Sequence, residues 1–145
     1  MEIKEIDELI GGVQKVIDWY SSSDFGHGDI DYLIKAKRKL VGYSFRFSEV
    51  VGYALEEYNV TYSSRKNELA VKKLKYIDSG DTAGKAELKA ELKIYQLRLA
   101  EGETEALYRK VKSYFDTMRD AITSITQDIS ILRKEYEDSR NNDNG

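Results

Sequence analysis

The chain has no cysteine, no proline and a single histidine in 145 residues. Without cysteine there are no disulfides, no thiolate chemistry and no zinc site of the Cys type. That absence fits a reducing compartment. Without proline nothing interrupts a helix interior by ring clash or a missing N–H. A lone histidine, His27, leaves a catalytic triad without an orienting partner. Asp24, His27, Asp29 and Asp31 lie close enough in sequence to ligate a divalent ion or to form a polar loop ahead of a helix cap. The loop reading takes fewer assumptions, and no cofactor or metal is assigned. No GxSxG, Walker A or GxGxxG sequence occurs. The chain is expected not to be an enzyme. No run of about 18 apolar residues is present, so no membrane span is expected. The opening MEIKEIDELI is acidic and lacks the basic start and apolar centre of a secretory signal. A cytoplasmic location follows as the expectation, in the host cytoplasm if the chain is phage-encoded.

What is present is helical in character. Apolar residues make up 41% and charged residues 34%, enough for a core and too many for wholesale disorder. The predicted fold class is all-α: a long antiparallel helical hairpin with a shorter N-terminal helix, coiled-coil-like packing and an oligomeric state. Ile6, Leu9, Ile10, Val13, Val16, Ile17 and Tyr20 recur at helical spacing within residues 1–20. Gly11 and Gly12 there either admit a neighbouring helix or divide the element. Residues 21–28 read as a loop. A second helix over 29–78 carries a stripe through Leu33, Leu40, Phe47, Val51, Leu55, Tyr58, Tyr62, Leu69, Leu74 and Ile77. Tyr43, Phe45 and Phe47 alternate with polar residues, which is a strand period. It is brief and flanked by helical spacing, so helix is favoured and Phe45, Phe47, Val51 and Tyr58 are assigned to the core. Residues 79–82 form a turn, with Asp81 or Thr82 as the next cap. A third helix over 83–138, with a break near Gly102, carries Leu88, Leu92, Tyr95 and Leu99. It continues through Leu107, Val111, Tyr114, Met118, Ile122, Ile125, Ile129 and Leu132 as a seam for the hairpin and the oligomer. Residues 139–145 hold no apolar side chain and are expected to be disordered.

The net charge of −3 conceals a pattern. Residues 1–34 hold two cations against eight acids, residues 35–98 hold fourteen against eight, and residues 99–145 hold seven against ten. A basic middle between acidic ends suits a polyanion site, or ends that neutralise a neighbour in an oligomer. Lys35, Lys37, Arg38 and Lys39 form one cluster, Arg65 and Lys66 a second, Lys72, Lys73 and Lys75 a third. On a helix Lys66 and Lys73 project about 20° apart, as do Arg65 and Lys72. This shared face can follow a phosphate backbone, with Tyr62 and Tyr76 offering rings to unpaired bases. It can equally be a solvated face.

In the order and character of its segments the chain resembles the UvsY-type recombination mediators of bacteriophages. The likeness rests on KLKYIDSG, Lys73 to Gly80, where a basic-x-basic segment closes a helix at a Ser-Gly turn. It rests also on the patterned helix ALYRKVKSYFDTMRDAITSITQDISILR, Ala106 to Arg133. The resemblance implies a non-enzymatic oligomer that loads a RecA-like recombinase onto single-stranded DNA coated by a single-strand-binding protein. It implies that Lys73 and Lys75 contact phosphates. The net acidity and the DFGHGD segment depart from the family's pattern. The other class left open is a helical protein-interaction module, a phage inhibitor or assembly adaptor acting through acidic ends and apolar seams.

Overall fold

The structure is a computed structural model that describes residues 3–26 and 29–143. His27, and with it the loop's ligand question, lies outside the described residues. Among the described residues four α-helices account for nearly every position and no strand occurs. They are α1 (Ile3–Ser21), α2 (Ile30–Asp78), α3 (Ala83–Lys93) and α4 (Tyr95–Asp143). No helix of the described residues is long and apolar enough to cross a membrane.

Helix α2 passes through the alternating stretch without interruption. Phe47 is buried and Phe45 is 71% exposed, because residues two apart on a helix point about 200° apart. The assignment of Phe45 to the core is thereby corrected. Ser44 and Ser48 donate back to the carbonyls of Val41 and Phe45, satisfying their hydroxyls locally. The helix stops at a Schellman turn. Gly80 has φ +98, its N–H donates to the Ile77 carbonyl, and the Asp81 N–H donates to that of Tyr76. Thr82 takes the N-cap position of α3, but its side chain makes no capping bond. Asp81 instead accepts from Lys89 at 2.6 Å and pairs with Lys85 at 3.5 Å.

The interruption expected near Gly102 lies at Ile94. It is slight, since the Ile94 N–H reaches the Ala90 carbonyl and the Arg98 N–H reaches that of Ile94. Gly102 sits inside α4 in open space. Residues 139–143, expected to lack structure, extend α4. Arg140 lies over the Tyr136 ring one turn back, and Ser139 donates to the Glu135 carbonyl.

The chain forms two compact units, Met1–Val50 with Lys112–Gly145, and Val51–Val111. The first has an apolar core from three helices: Ile6, Leu9 and Val13 of α1, Leu33, Leu40, Phe47 and Val50 of α2, and Met118, Ile125, Ile129 and Leu132 of α4. Gly12 lets α1 come close to α2, because a Cβ there would overlap the Tyr43 hydroxyl and lie 2.7 Å from its Cζ.

The second unit has a sparer core of Ala54, Ala86, Ala90, Ile94 and Val111. Its α2 and α4 segments run antiparallel, as their facing pairs show: Tyr58 stacks on Tyr108, Thr61 meets Thr104 at 2.7 Å, and Arg65 meets Glu101. The inner face of α2 therefore turns polar at Tyr58. Leu55, Leu74 and Ile77, expected inside, are exposed. Of the predicted seam, Val111, Met118, Ile125, Ile129 and Leu132 are buried within this chain, and Leu107, Tyr114 and Ile122 are half-buried.

Candidate nucleic-acid interface

The basic residues singled out at 65–75 are largely engaged with acids of their own unit. Arg65 Nε donates to Glu101 at 2.6 Å and Nη2 at 3.2 Å, with both side chains only 14% exposed. The Glu101 hydrogen bond holds the Arg65 pKa above its ordinary value. Lys73 pairs with Glu87 at 2.8 Å, and Lys72 with Glu68 at 3.3 Å. Only Lys66 and Lys75 of that set have no carboxylate within ion-pair distance among the described residues. The rings are engaged as well. Arg65 and Lys66 lie over Tyr62, at 5.2 and 5.8 Å, and Lys89 lies over Tyr76 at 5.4 Å. The chosen residues share a helix, but the structure does not assemble them into an open cationic surface.

Such a surface exists in the first unit. The segment from Lys35 to Arg46 contains five cations and no acid. On α2, Tyr32, Lys35, Lys39 and Arg46 fall at i, i+3, i+7 and i+14, one face of the helix. Lys15 and Trp19 sit one turn apart on α1. Together with Val16, Ala36 and Arg38, Tyr32, Lys35, Lys39, Lys15 and Trp19 line a groove of about 570 Å³ between α1 and α2. Two rings open onto it. Tyr32 is more than half exposed with Lys35 over it at 5.6 Å, and Trp19 is partly exposed with the Phe25 ring tilted against it at 5.3 Å. A further groove of about 560 Å³ is lined by Gly12, Lys15, Val16, Lys39, Gly42, Tyr43 and Arg46.

Between α2 and α4 of the same unit lies a larger groove of about 870 Å³. Lys37, Arg38, Arg133 and Lys134 line it beside Ile34, Val41 and Ile129, with Glu137 the one acid among the described residues that line it. Arg38 borders this groove and the Trp19 groove alike. Among the described residues, none of Lys15, Lys35, Lys37, Arg38, Lys39, Arg46, Arg133 and Lys134 has a carboxylate within ion-pair distance. Unpaired cations beside exposed rings can neutralise phosphates while the rings stack on bases.

The Lys35–Lys39 cluster is visible in the sequence, but the shared-face spacing argument singles out residues 65–73 instead. Trp19, Lys15, Arg133 and Lys134 had no signal that tied them to it, since they arrive from other helices. The acid-free run from Lys35 to Arg46 was the available clue. Among the described residues no group of three or more His, Asp or Glu is placed to hold a metal ion. Comparison with protein-family models, with curated proteins and with solved structures finds no match.

Proposed function

We propose that this chain binds single-stranded DNA through the groove between α1 and α2, without covalent chemistry. We propose further that it serves as a recombination mediator that helps load a RecA-like recombinase onto DNA covered by a single-strand-binding protein. The DNA-binding part is carried by one observation: the partly exposed rings of Trp19 and Tyr32 line one groove with Lys15, Lys35, Arg38 and Lys39, none of which has a carboxylate within ion-pair distance among the described residues. Ring faces favour unpaired bases over a stacked duplex, because a duplex hides its π-faces. The mediator part rests on the resemblance over residues 58–133.

Trp19 is the only tryptophan, so the groove carries its own reporter. Titration with single-stranded DNA is expected to quench Trp19 fluorescence, and more strongly than duplex DNA does at equal salt. Tyr32→Ala is expected to weaken binding by about 1–3 kcal/mol, the usual worth of one base–aromatic stack. Absence of binding at low salt, or binding that leaves Trp19 fluorescence unchanged, removes the groove from the reading.

A further inference from the structure

The second unit carries apolar side chains on its outside. Helix α3 turns Ala86 and Ala90 inward, while Leu88 is 71%, Leu92 80%, Tyr95 58% and Leu99 45% exposed. These four step by 4, 3 and 4, the spacing of a coiled-coil seam. The hydrogen bonds from Ile94 to Ala90 and from Arg98 to Ile94 carry the helical ladder across the junction, so the stripe is continuous. A row of large side chains this exposed amounts to several hundred Å² of apolar surface, the size of the largest patch on a typical monomer, which is often an interaction site.

We propose that this stripe pairs with the same stripe of a second copy, antiparallel, with Leu88 against Leu99 and Leu92 against Tyr95 across a twofold axis. Two facing stripes bury about 1,000 Å², the lower bound for a specific interface. Charge selects the orientation. Glu91 and Arg98 flank the stripe on one edge and pair with each other within the chain. In the antiparallel alignment each Glu91 lies beside the other copy's Arg98, twice by symmetry. On the opposite edge Lys89 lies beside Gln96, so no like charges meet. A parallel alignment sets Arg98 beside Glu103 but leaves Glu91 beside Gln96 and places Tyr95 on Tyr95. The seam from Leu107 to Leu132, expected to hold the oligomer, is largely covered within the chain, whereas Leu88, Leu92, Tyr95 and Leu99 are exposed. The proposal uses none of the residues of the nucleic-acid groove, and either can fail without the other.

Sedimentation at roughly 100 µM, above the micromolar dissociation constants common for small interfaces, is expected to give twice the 16.7 kDa chain mass. Leu92→Glu places a charge in the seam and is expected to raise the dissociation constant roughly a hundredfold at unchanged helicity. The absence of native cysteine makes the register directly readable. Leu88→Cys combined with Leu99→Cys is expected to form an intermolecular disulfide on mild oxidation, whereas Leu88→Cys alone is not. A monomeric wild type overturns the proposal. So does an oligomer indifferent to Leu92→Glu, or rapid cross-linking of Leu88→Cys alone.

Discussion

Tyr20 of α1 donates its hydroxyl to Asp128 of α4 and so fastens two helices of the first unit. Burial, with the Asp128 hydrogen bond and charge adding to it, pushes the Tyr20 pKa up to about 12 from an ordinary 10.0. A pKa raised on folding means stability that is complete below pH 10 and lost as pH climbs toward 12. The site is partly open to solvent, so Tyr20→Phe is expected to cost only about 1 kcal/mol at neutral pH. In denaturant titrations the gap between wild type and Tyr20→Phe should close between pH 10 and pH 12. A gap that stays constant over that window would show that the bond contributes nothing through its proton. Two adjacent glycines on the same helix make a second residue-scale test. A Cβ at Gly11 meets nothing within 4 Å, whereas one at Gly12 overlaps the Tyr43 ring, with Cζ at 2.7 Å. Gly11→Ala should stabilise by about 0.5–1 kcal/mol through helix propensity alone. At Gly12 the same gain is set against overpacking of about 1–3 kcal/mol, and a net loss of about 1 kcal/mol is expected. Equal denaturant midpoints for the two variants would mean that Tyr43 moves aside at no cost.

The helices themselves were legible in the sequence, and the direction in which they face was legible only in part. Val111, Met118, Ile125, Ile129 and Leu132 are inside as their spacing predicts. In α2 beyond Tyr58, and in α3, the rule inverts. Inward positions hold Thr61, Arg65, Ala86 and Ala90, and the larger aliphatics Val60, Leu74, Leu88 and Leu92 face out. Periodicity reports that a stripe exists. It does not say which of two stripes a partner helix covers when one consists of alanines and hydrogen-bonding side chains. Glycine misled for a related reason. A glycine at 102 reads as a break, but α4 runs through it because one exposed glycine costs only about 1 kcal/mol in a helix held by packing on either side. Since a Cβ there meets nothing within 4 Å, Gly102→Ala is expected to add about 0.5–1 kcal/mol. It should raise the denaturant midpoint at unchanged slope. A destabilised Gly102→Ala would indicate that the glycine is needed for a bend or a close approach.

At the scale of the whole chain, the basic middle of the sequence divides by what lies opposite each cation. Lys72 and Lys73 face Glu68 and Glu87, partners that come from a neighbouring turn and from another helix. A count of charges along the chain cannot reveal such pairing. Lys35 and Lys39 have no acid within ion-pair distance among the described residues, and Lys15, Arg133 and Lys134 join their grooves from other helices. Counterion release separates the two groups in solution. Each phosphate neutralised on a single strand contributes about 0.7 to the slope of log affinity against log salt. Lys35→Ala with Lys39→Ala is therefore expected to reduce that slope by about 1.4 in anisotropy titrations with labelled single-stranded DNA. Lys72→Ala with Lys73→Ala removes cations that already have carboxylate partners, and should change the slope by well under half as much. The reverse ranking would place the phosphate contacts on the second unit, where Lys66 and Lys75 remain open, and would leave the Trp19 groove without its proposed ligand.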